Sequence, residues 1–156
     1  MQKELDTRKP NATILFIFGG SGDLNQRKLT PALFNLSIDG LMPEKFAIVG
    51  TGRTDYSDDK FRNHLFEGIQ EFSRRKKNPP GSWEGFSQHI SYLRMDVDKP
   101  ASYEPIKKII TEREAEWDVK ADVIFYLAVA PQLVPEITTN LHNLKLHKAK
   151  EKLRII

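Results

Sequence analysis

The chain has 156 residues, of which 39% are hydrophobic and 29% are charged, and its formal net charge is +3. This length predicts one domain with a core of its own, and the absence of cysteine excludes disulfide frameworks, thiolate metal sites and cysteine nucleophiles. The mild positive charge is compatible with an anionic small ligand and with nucleic acid, so it favours neither.

The N-terminal segment, residues 1–12, is polar and lacks the apolar core of a secretory signal. We therefore expect a disordered leader there, followed by one domain over residues 13–156. The longest apolar runs, residues 12–20 and 123–131, are too short to cross a bilayer. A cytoplasmic protein without a membrane partner is the expectation.

Short apolar runs along the chain predict β-strands. Residues 13–18, 46–49 and 123–127 are continuously apolar, which is typical of parallel strands buried on both faces. Residues 90–97 alternate in character and are expected nearer an edge of the sheet. Residues 154–156 resemble the opening of a fifth strand. Because natural domains rarely end there, we expect the chain to be part of a longer protein.

Apolar residues at helical spacing fill the intervals between these strands. The first helix, residues 24–38, contains Pro31, which should kink it or split it in two. The alternation of strands and helices predicts an α/β fold, a Rossmann-type doubly wound parallel sheet with helices on both faces. The expected strand order is 3-2-1-4.

The most informative segment follows the first strand. A run GGSG, starting at Gly19, leads from this buried strand directly into a helix, which is the setting of a dinucleotide-binding turn. Gly19 permits a tight turn, Gly22 lets the backbone approach a pyrophosphate, and Ser21 adds a hydroxyl donor. Asp23 would repel a phosphate, so we expect it to cap the helix or to pair with Arg27.

The tip of the second strand bears on the choice of coenzyme. In NAD-binding units an acidic residue about 20 residues beyond the glycines usually holds the ribose 2′-hydroxyl. Here the strand leads into Arg53 and Thr54, and the next carboxylate, Asp55, falls in the following loop. A planar guanidinium beside a hydroxyl suits a 2′-phosphate. We therefore predict NADP as the cofactor.

Other polar residues receive no functional assignment. The basic cluster at residues 74–77 is typical of a solvated helix end, and no nucleic-acid recognition motif accompanies it. The four histidines have no partners at metal or catalytic-triad spacing, so we assign no metal site and no catalytic residue to them: His64, His89, His142 and His147.

Three strings stand out for their specificity: GGSGDLNQRKLTPALFNL (residues 19–36), FAIVGTGR (46–53) and FYLAVAP (125–131). Together they resemble the glucose-6-phosphate dehydrogenase family. A fourth, MDVDKPASY (95–103), is similar to that family's third strand and the start of its next helix. A generic dinucleotide-binding domain has no reason to carry the first string.

The resemblance implies the coenzyme domain of an NADP-dependent enzyme that oxidises glucose 6-phosphate at C1 to 6-phosphogluconolactone in the pentose phosphate pathway. It also implies a homo-oligomer for the complete protein. Its site residues carry over onto a phosphate loop (Gly19, Gly20, Ser21, Gly22, Asp23, Leu24 and Gln26), a 2′-phosphate contact (Arg53, beside Thr54), the adenosine side (Asp96 and Val97), the nicotinamide side (Ala130) and the sugar phosphate (Lys28 and Pro131).

The chain departs from the family pattern in two ways. Asn25 occupies a position where a small residue is usual, and we expect its bulk to loosen the turn or to displace the helix. The family's Glu-Lys-Pro-Phe-Gly string and its catalytic histidine have no counterpart within residues 1–156. We therefore expect the substrate domain to be absent and this polypeptide alone to be inactive.

Two other functions remain open. One is a different Rossmann-type NADP oxidoreductase, such as a reductase. Its Tyr-x-x-x-Lys pair could only be Tyr103 with Lys107, which lie on the helix after the third strand, the wrong element. The other is a non-catalytic NADP-binding or sensing domain, which would keep the glycine turn and lack catalytic residues.

Overall fold

The computed structural model describes residues 9–148 and 152–156. The predicted leader therefore falls mostly outside the described residues. Within them, the strands form one parallel sheet in the order β3-β2-β1-β4-β5. Their bounds are β1 Thr13–Phe18, β2 Phe46–Gly52, β3 Ile90–Arg94, β4 Asp122–Leu127 and β5 Leu153–Ile155.

The helices connect consecutive strands. Their bounds are α1 Thr30–Ile38, α2 Asp58–Phe72, α3 Ser82–Ser87, α4 Glu104–Trp117 and α5 Val134–Asn143, with short 3-10 turns at Pro100–Tyr103, Pro131–Leu133 and Leu146–Lys148. The predicted strand order and the fold class are confirmed, and the fifth strand is paired with β4. β2 runs three residues beyond its predicted end, because residues 50–52 continue the ladder to β3.

The sheet is covered on both faces, as predicted. Apolar residues of α1, α2 and α3 pack with Ile17 and Ile48 on one face, whereas those of α4 and α5 pack with Phe16 and Val123 on the other. Neighbouring residues of β1 therefore serve opposite layers, which explains why its whole sequence is apolar. β1 is the central strand, paired with β2 and β4 along its full length.

Pro31 is accommodated by a change of helix type. Residues Asn25–Leu29 form a π-helical turn, and α1 begins at Thr30 with Pro31 in its first turn. Proline has no N–H to donate, and the π-helical turn changes the hydrogen-bond pattern just before the position where that donor is missing. The backbone stays helical from residue 23 to residue 38, so the predicted split in two at Pro31 is wrong.

Candidate functional site

The turn after β1 depends on two glycines that no other residue could replace without movement of a strand. Gly19 has a φ of +75°, and a Cβ there would lie 2.2 Å from the carbonyl oxygen of Ala128. A Cβ on Gly20 would lie 2.7 Å from the Cα of Gly50 in β2. The turn is thus pressed against both neighbouring strands, at the carboxyl edge of the sheet, where the order of connections reverses.

The chain passes from this turn directly into the helical segment. The N–H of Gly22 donates to the oxygen of Gly19 at 3.0 Å, and the N–H of Gln26 donates to the oxygen of Gly22 at 3.2 Å. The first N–H groups of a helix have no partner within it, which makes this end suitable for an anion. Asp23 is exposed and pairs with Arg27 at 3.9 Å, as one of its two predicted roles requires.

Asn25 strengthens the turn rather than loosening it, so that part of the sequence expectation is wrong. Its side chain is fully buried, and its Nδ2 donates to the carbonyl oxygen of Gly20 at 2.8 Å. Its Oδ1 accepts a 2.8 Å hydrogen bond from the hydroxyl of Thr30, which is also fully buried. Asn25 therefore ties the glycine turn to the first residue of α1.

Gln26 connects the same turn to α2. Its Nε2 donates to the carbonyl oxygen of His64 at 3.0 Å. The two segments approach closely because Gly68 has no side chain: a Cβ there would lie 2.4 Å from the oxygen of Gln26. Gln26 is thus half-buried and engaged with the scaffold, whereas Leu24 is 45% exposed.

Arg53 and Thr54 follow β2 on the same edge of the sheet as the glycine turn. The hydroxyls of Thr54 and Ser21 lie 3.4 Å apart, so the structure brings together these two predicted site residues. The side chain of Arg53 is 66% exposed. A guanidinium, two hydroxyls and the start of a helix therefore share one face, and this is a donor set suited to phosphate.

Carboxylates that sequence reasoning did not associate with Arg53 lie beside it. Its Nη2 is 3.2 Å from Oδ1 of Asp96 and 2.6 Å from Oδ2 of Asp98, both of which follow β3. The N–H of Asp98 donates to the Asp96 carboxylate, and this bond, with the positive charges of Arg53 and Lys99, lowers the pKa of Asp96. The sequence around Arg53 indicated that no carboxylate lies at the end of β2. In the structure, two carboxylates from the segment after β3 lie beside Arg53.

The segment after β3 is held by hydrogen bonds from two side chains to its backbone. The buried hydroxyl of Tyr103 donates to the carbonyl oxygen of Val97 at 2.8 Å, and Ser102 donates to the carbonyl oxygen of Asp96. Burial raises the pKa of Tyr103. Because its ring is fully enclosed, Tyr103 cannot serve with the exposed Lys107 as a catalytic pair. This removes the sequence support for the reductase alternative.

Tyr92, in β3, is a candidate site residue that the sequence analysis did not name, because it lies near Ser21 and Thr54. Its hydroxyl is buried close to the side chains of Ser21 and Thr54. It lies under Gly52, where an added Cβ would be 2.9 Å from it and 3.2 Å from the hydroxyl of Ser21. Burial raises the pKa of Tyr92, and the nearby Ser21 and Thr54 oppose that shift. The alternating pattern of β3 was the available signal, since it places Tyr92 on the face of α2.

The remaining predicted residues lie at the other side of the switch point. The N–H of Ala128 donates to the oxygen of Phe18 at 3.0 Å, which holds the end of β4 against β1. Ala130 and Pro131 follow as exposed residues at the start of a 3-10 turn. Lys28 is exposed on the π-helical turn. Contacts of these three with coenzyme or sugar phosphate stay predictions.

His64 lies on α2, where its carbonyl oxygen accepts from Gln26 and its ring stacks on Tyr56 of the loop after β2. The other three histidines lie outside the loops that follow the strands. His89 precedes β3 and stacks on Phe46, and His142 stacks on His147 at a ring distance of 4.9 Å near the end of α5. Among the described residues, no group of three or more acidic or histidine side chains could hold a metal ion. No helix in residues 9–148 and 152–156 is long and apolar enough to span a membrane.

A parallel sheet with a glycine turn at its switch point, followed by a helix start, defines a nucleotide-binding domain of the Rossmann type. The family model for the glucose-6-phosphate dehydrogenase NAD binding domain matches residues 16–156. The chain belongs to this family, and the resemblance seen in its sequence is confirmed.

Individual relatives agree with this assignment. Glucose-6-phosphate 1-dehydrogenase of Leuconostoc mesenteroides is 39% identical over 120 residues, which cover 77% of this chain and 24% of that protein. The enzyme of the same name from Schizosaccharomyces pombe is 34% identical over 130 residues, covering 81% of this chain and 25% of that protein. The chain thus spans about a quarter of the length of these relatives.

The fold is shared with solved structures of glucose-6-phosphate dehydrogenases. A glucose-6-phosphate dehydrogenase in complex with its substrate glucose 6-phosphate superposes with a TM-score of 0.80 at 30% identity, over 97% of this chain and 31% of that one. The glucose-6-phosphate 1-dehydrogenase of Mycobacterium avium has a TM-score of 0.76 at 23% identity, covering 94% of this chain and 29% of that one, and it supports the fold alone.

Proposed function

We propose that this chain binds NADP and serves as the coenzyme domain of an enzyme that oxidises glucose 6-phosphate at C1 to 6-phosphogluconolactone. The observation that carries the proposal is the glycine turn: Gly19 and Gly20 leave no room for a Cβ at the switch point, and the helix start follows at once. Membership of the dehydrogenase family supplies the substrate class.

Residues of this chain are suited to each part of a bound dinucleotide. The backbone from Gly19 to Gly22 leaves room for a pyrophosphate, and the N–H groups at the helix start face its charge. Ser21, Thr54 and Arg53 offer donors for a 2′-phosphate. Asp96 and Val97 border the adenosine side and Ala130 the nicotinamide side. A bound nicotinamide would supply the hydride acceptor for oxidation at C1, and a base would be needed for the proton of the C1 hydroxyl.

Arg53 provides the test of coenzyme choice. A charge-assisted hydrogen bond to a 2′-phosphate contributes about 1.5–3 kcal/mol, so Arg53→Ala should weaken NADP binding by roughly tenfold or more and leave NAD binding almost unchanged. Calorimetric titration with both coenzymes measures this. Arg75→Ala is the matched control, because Arg75 forms a 2.6 Å ion pair with Asp39 far from the turn. Equal weakening of NADP and NAD would assign Arg53 a structural role.

A non-catalytic NADP-sensing domain is not favoured, because the chain's family is that of a dehydrogenase. A cytoplasmic location, a homo-oligomeric complete protein and the absence of nucleic-acid partners stay predictions.

Lys28 and Pro131 are proposed to border the sugar phosphate, since Pro131 opens the turn after β4 and Lys28 projects from the helical segment after β1.

A further inference from the structure

The proposed 2′-phosphate contact is already occupied by carboxylates of this chain. One nitrogen of Arg53, Nη2, accommodates Asp96 at 3.2 Å and Asp98 at 2.6 Å. The contact with Asp98 has the short distance of a charge-assisted hydrogen bond, and the contact with Asp96 is longer. A 2′-phosphate that used the same nitrogen would meet two negative charges, whereas a ribose 2′-hydroxyl would meet carboxylates that can accept its hydrogen bond.

The two aspartates differ in how firmly the fold holds them. Asp96 is part of the local backbone structure: its carboxylate accepts the N–H of Asp98, and its carbonyl oxygen accepts the hydroxyl of Ser102. Its side chain is 32% exposed. Replacement of Asp96 would therefore alter the segment itself.

The side chain of Asp98 is held by its ion pair with Arg53. Its side chain is 56% exposed, and in the part of the chain that the structure describes its carboxylate forms one hydrogen bond, which comes from Arg53. The contribution of Asp98 to the local backbone is its N–H, which every non-proline substitution retains. Neutralising Asp98 thus removes a competitor of the phosphate and leaves the segment after β3 intact.

We propose that Asp98 is a selectivity-determining residue, whose carboxylate competes with the coenzyme 2′-phosphate for Arg53 and so lowers the preference for NADP over NAD. The inference rests on the proposed function of the same site. It goes further by making the discrimination a balance between one arginine and an acidic residue 45 positions away in the chain.

Asp98→Asn is the direct test, with NADP and NAD titrated separately against the purified chain. Loss of one negative charge beside the phosphate should tighten NADP binding about three- to tenfold, while NAD binding changes by less than about twofold. The gain should shrink at high salt, because the competing pair is exposed. Asp39→Asn is the matched control, since Asp39 pairs with Arg75 at the same 2.6 Å and at similar exposure, and it should change neither affinity.

The Arg53→Ala background tests whether competition is the cause. In that background, Asp98→Asn should increase NADP affinity by less than half of the free-energy gain that it gives in the wild-type chain. An equal gain, an unchanged NADP affinity or a weaker one would overturn the inference. Failure of the wild-type chain to bind either coenzyme would instead refute the proposed function, so the two failures are distinguishable.

Discussion

The buried amide of Asn25 donates to the carbonyl oxygen of Gly20 and accepts from the hydroxyl of Thr30, with both hydrogen bonds 2.8 Å long. The side chain of Asn25 thus supplies a connection between the glycine turn and α1. The connection is local in sequence, because each bond spans five residues, and it is fully shielded from water.

Asn25→Ala should therefore destabilise both the fold and the coenzyme site. Removal of the amide leaves the Gly20 carbonyl and the Thr30 hydroxyl without these buried partners, which costs about 1–3 kcal/mol for each group. Urea denaturation measures the stability, and titration with NADP at a temperature where the variant is folded measures the site.

A double-mutant cycle with Thr30→Val separates the network from simple loss of volume. If the two side chains act together, the double variant should lose less stability than the sum of the single variants. Strict additivity would contradict the network.

Gly19→Ala should abolish coenzyme binding and cost more stability than the backbone conformation alone explains. The left-handed conformation costs an alanine roughly 1–2 kcal/mol, and the contact with Ala128 adds to it. Gly40→Ala isolates the first effect, because Gly40 has a φ of +71° and no described atom lies within 4 Å of the added Cβ. Thermal unfolding of both variants provides the comparison. Equal losses would show that the close approach to β4 is unimportant.

Tyr103→Phe should cost about 1 kcal/mol at neutral pH, because the hydrogen bond to the Val97 carbonyl is lost. Burial raises the pKa of Tyr103 in the folded chain, so folding favours the neutral phenol. Its stabilisation is complete below the unfolded pKa of about 10 and is lost as the pH rises through the folded value. The variant should therefore lose less stability than the wild type above about pH 10. Denaturant titrations on both sides of that pH check the sign, and a parallel decline of both proteins would contradict it.

The 156-residue polypeptide should bind coenzyme without oxidising glucose 6-phosphate. None of its histidines falls in the loops after β1, β2, β3 or β4, where a catalytic group of an open α/β sheet must lie. Absorbance of the reduced nicotinamide, followed with NADP and glucose 6-phosphate present, measures turnover. Turnover that Lys28→Ala abolishes would show that a base lies within these residues.

The sequence was sufficient to predict features that a continuous segment encodes, such as strands and turns. It was not sufficient to predict contacts between side chains that are distant in the chain. Continuous apolar runs and the GGSG string were sufficient for the sheet order and for the position of the glycine turn at its edge. The Arg53 contact with Asp98 required β2 and β3 to pair, and no local pattern encodes that distance. The prediction that Asn25 loosens the turn was wrong for a different reason. It considered the size of the side chain and not the two hydrogen bonds that the buried amide forms.

The glycine turn touches its neighbours through backbone atoms, Gly19 against the oxygen of Ala128 and Gly20 against the Cα of Gly50. Side chains of the core are interchangeable to a degree, since one apolar shape can compensate for another. Peptide groups have no such alternatives. The core can therefore drift through many combinations over evolutionary time while the turn keeps its place, and a strand must shift before either glycine can change.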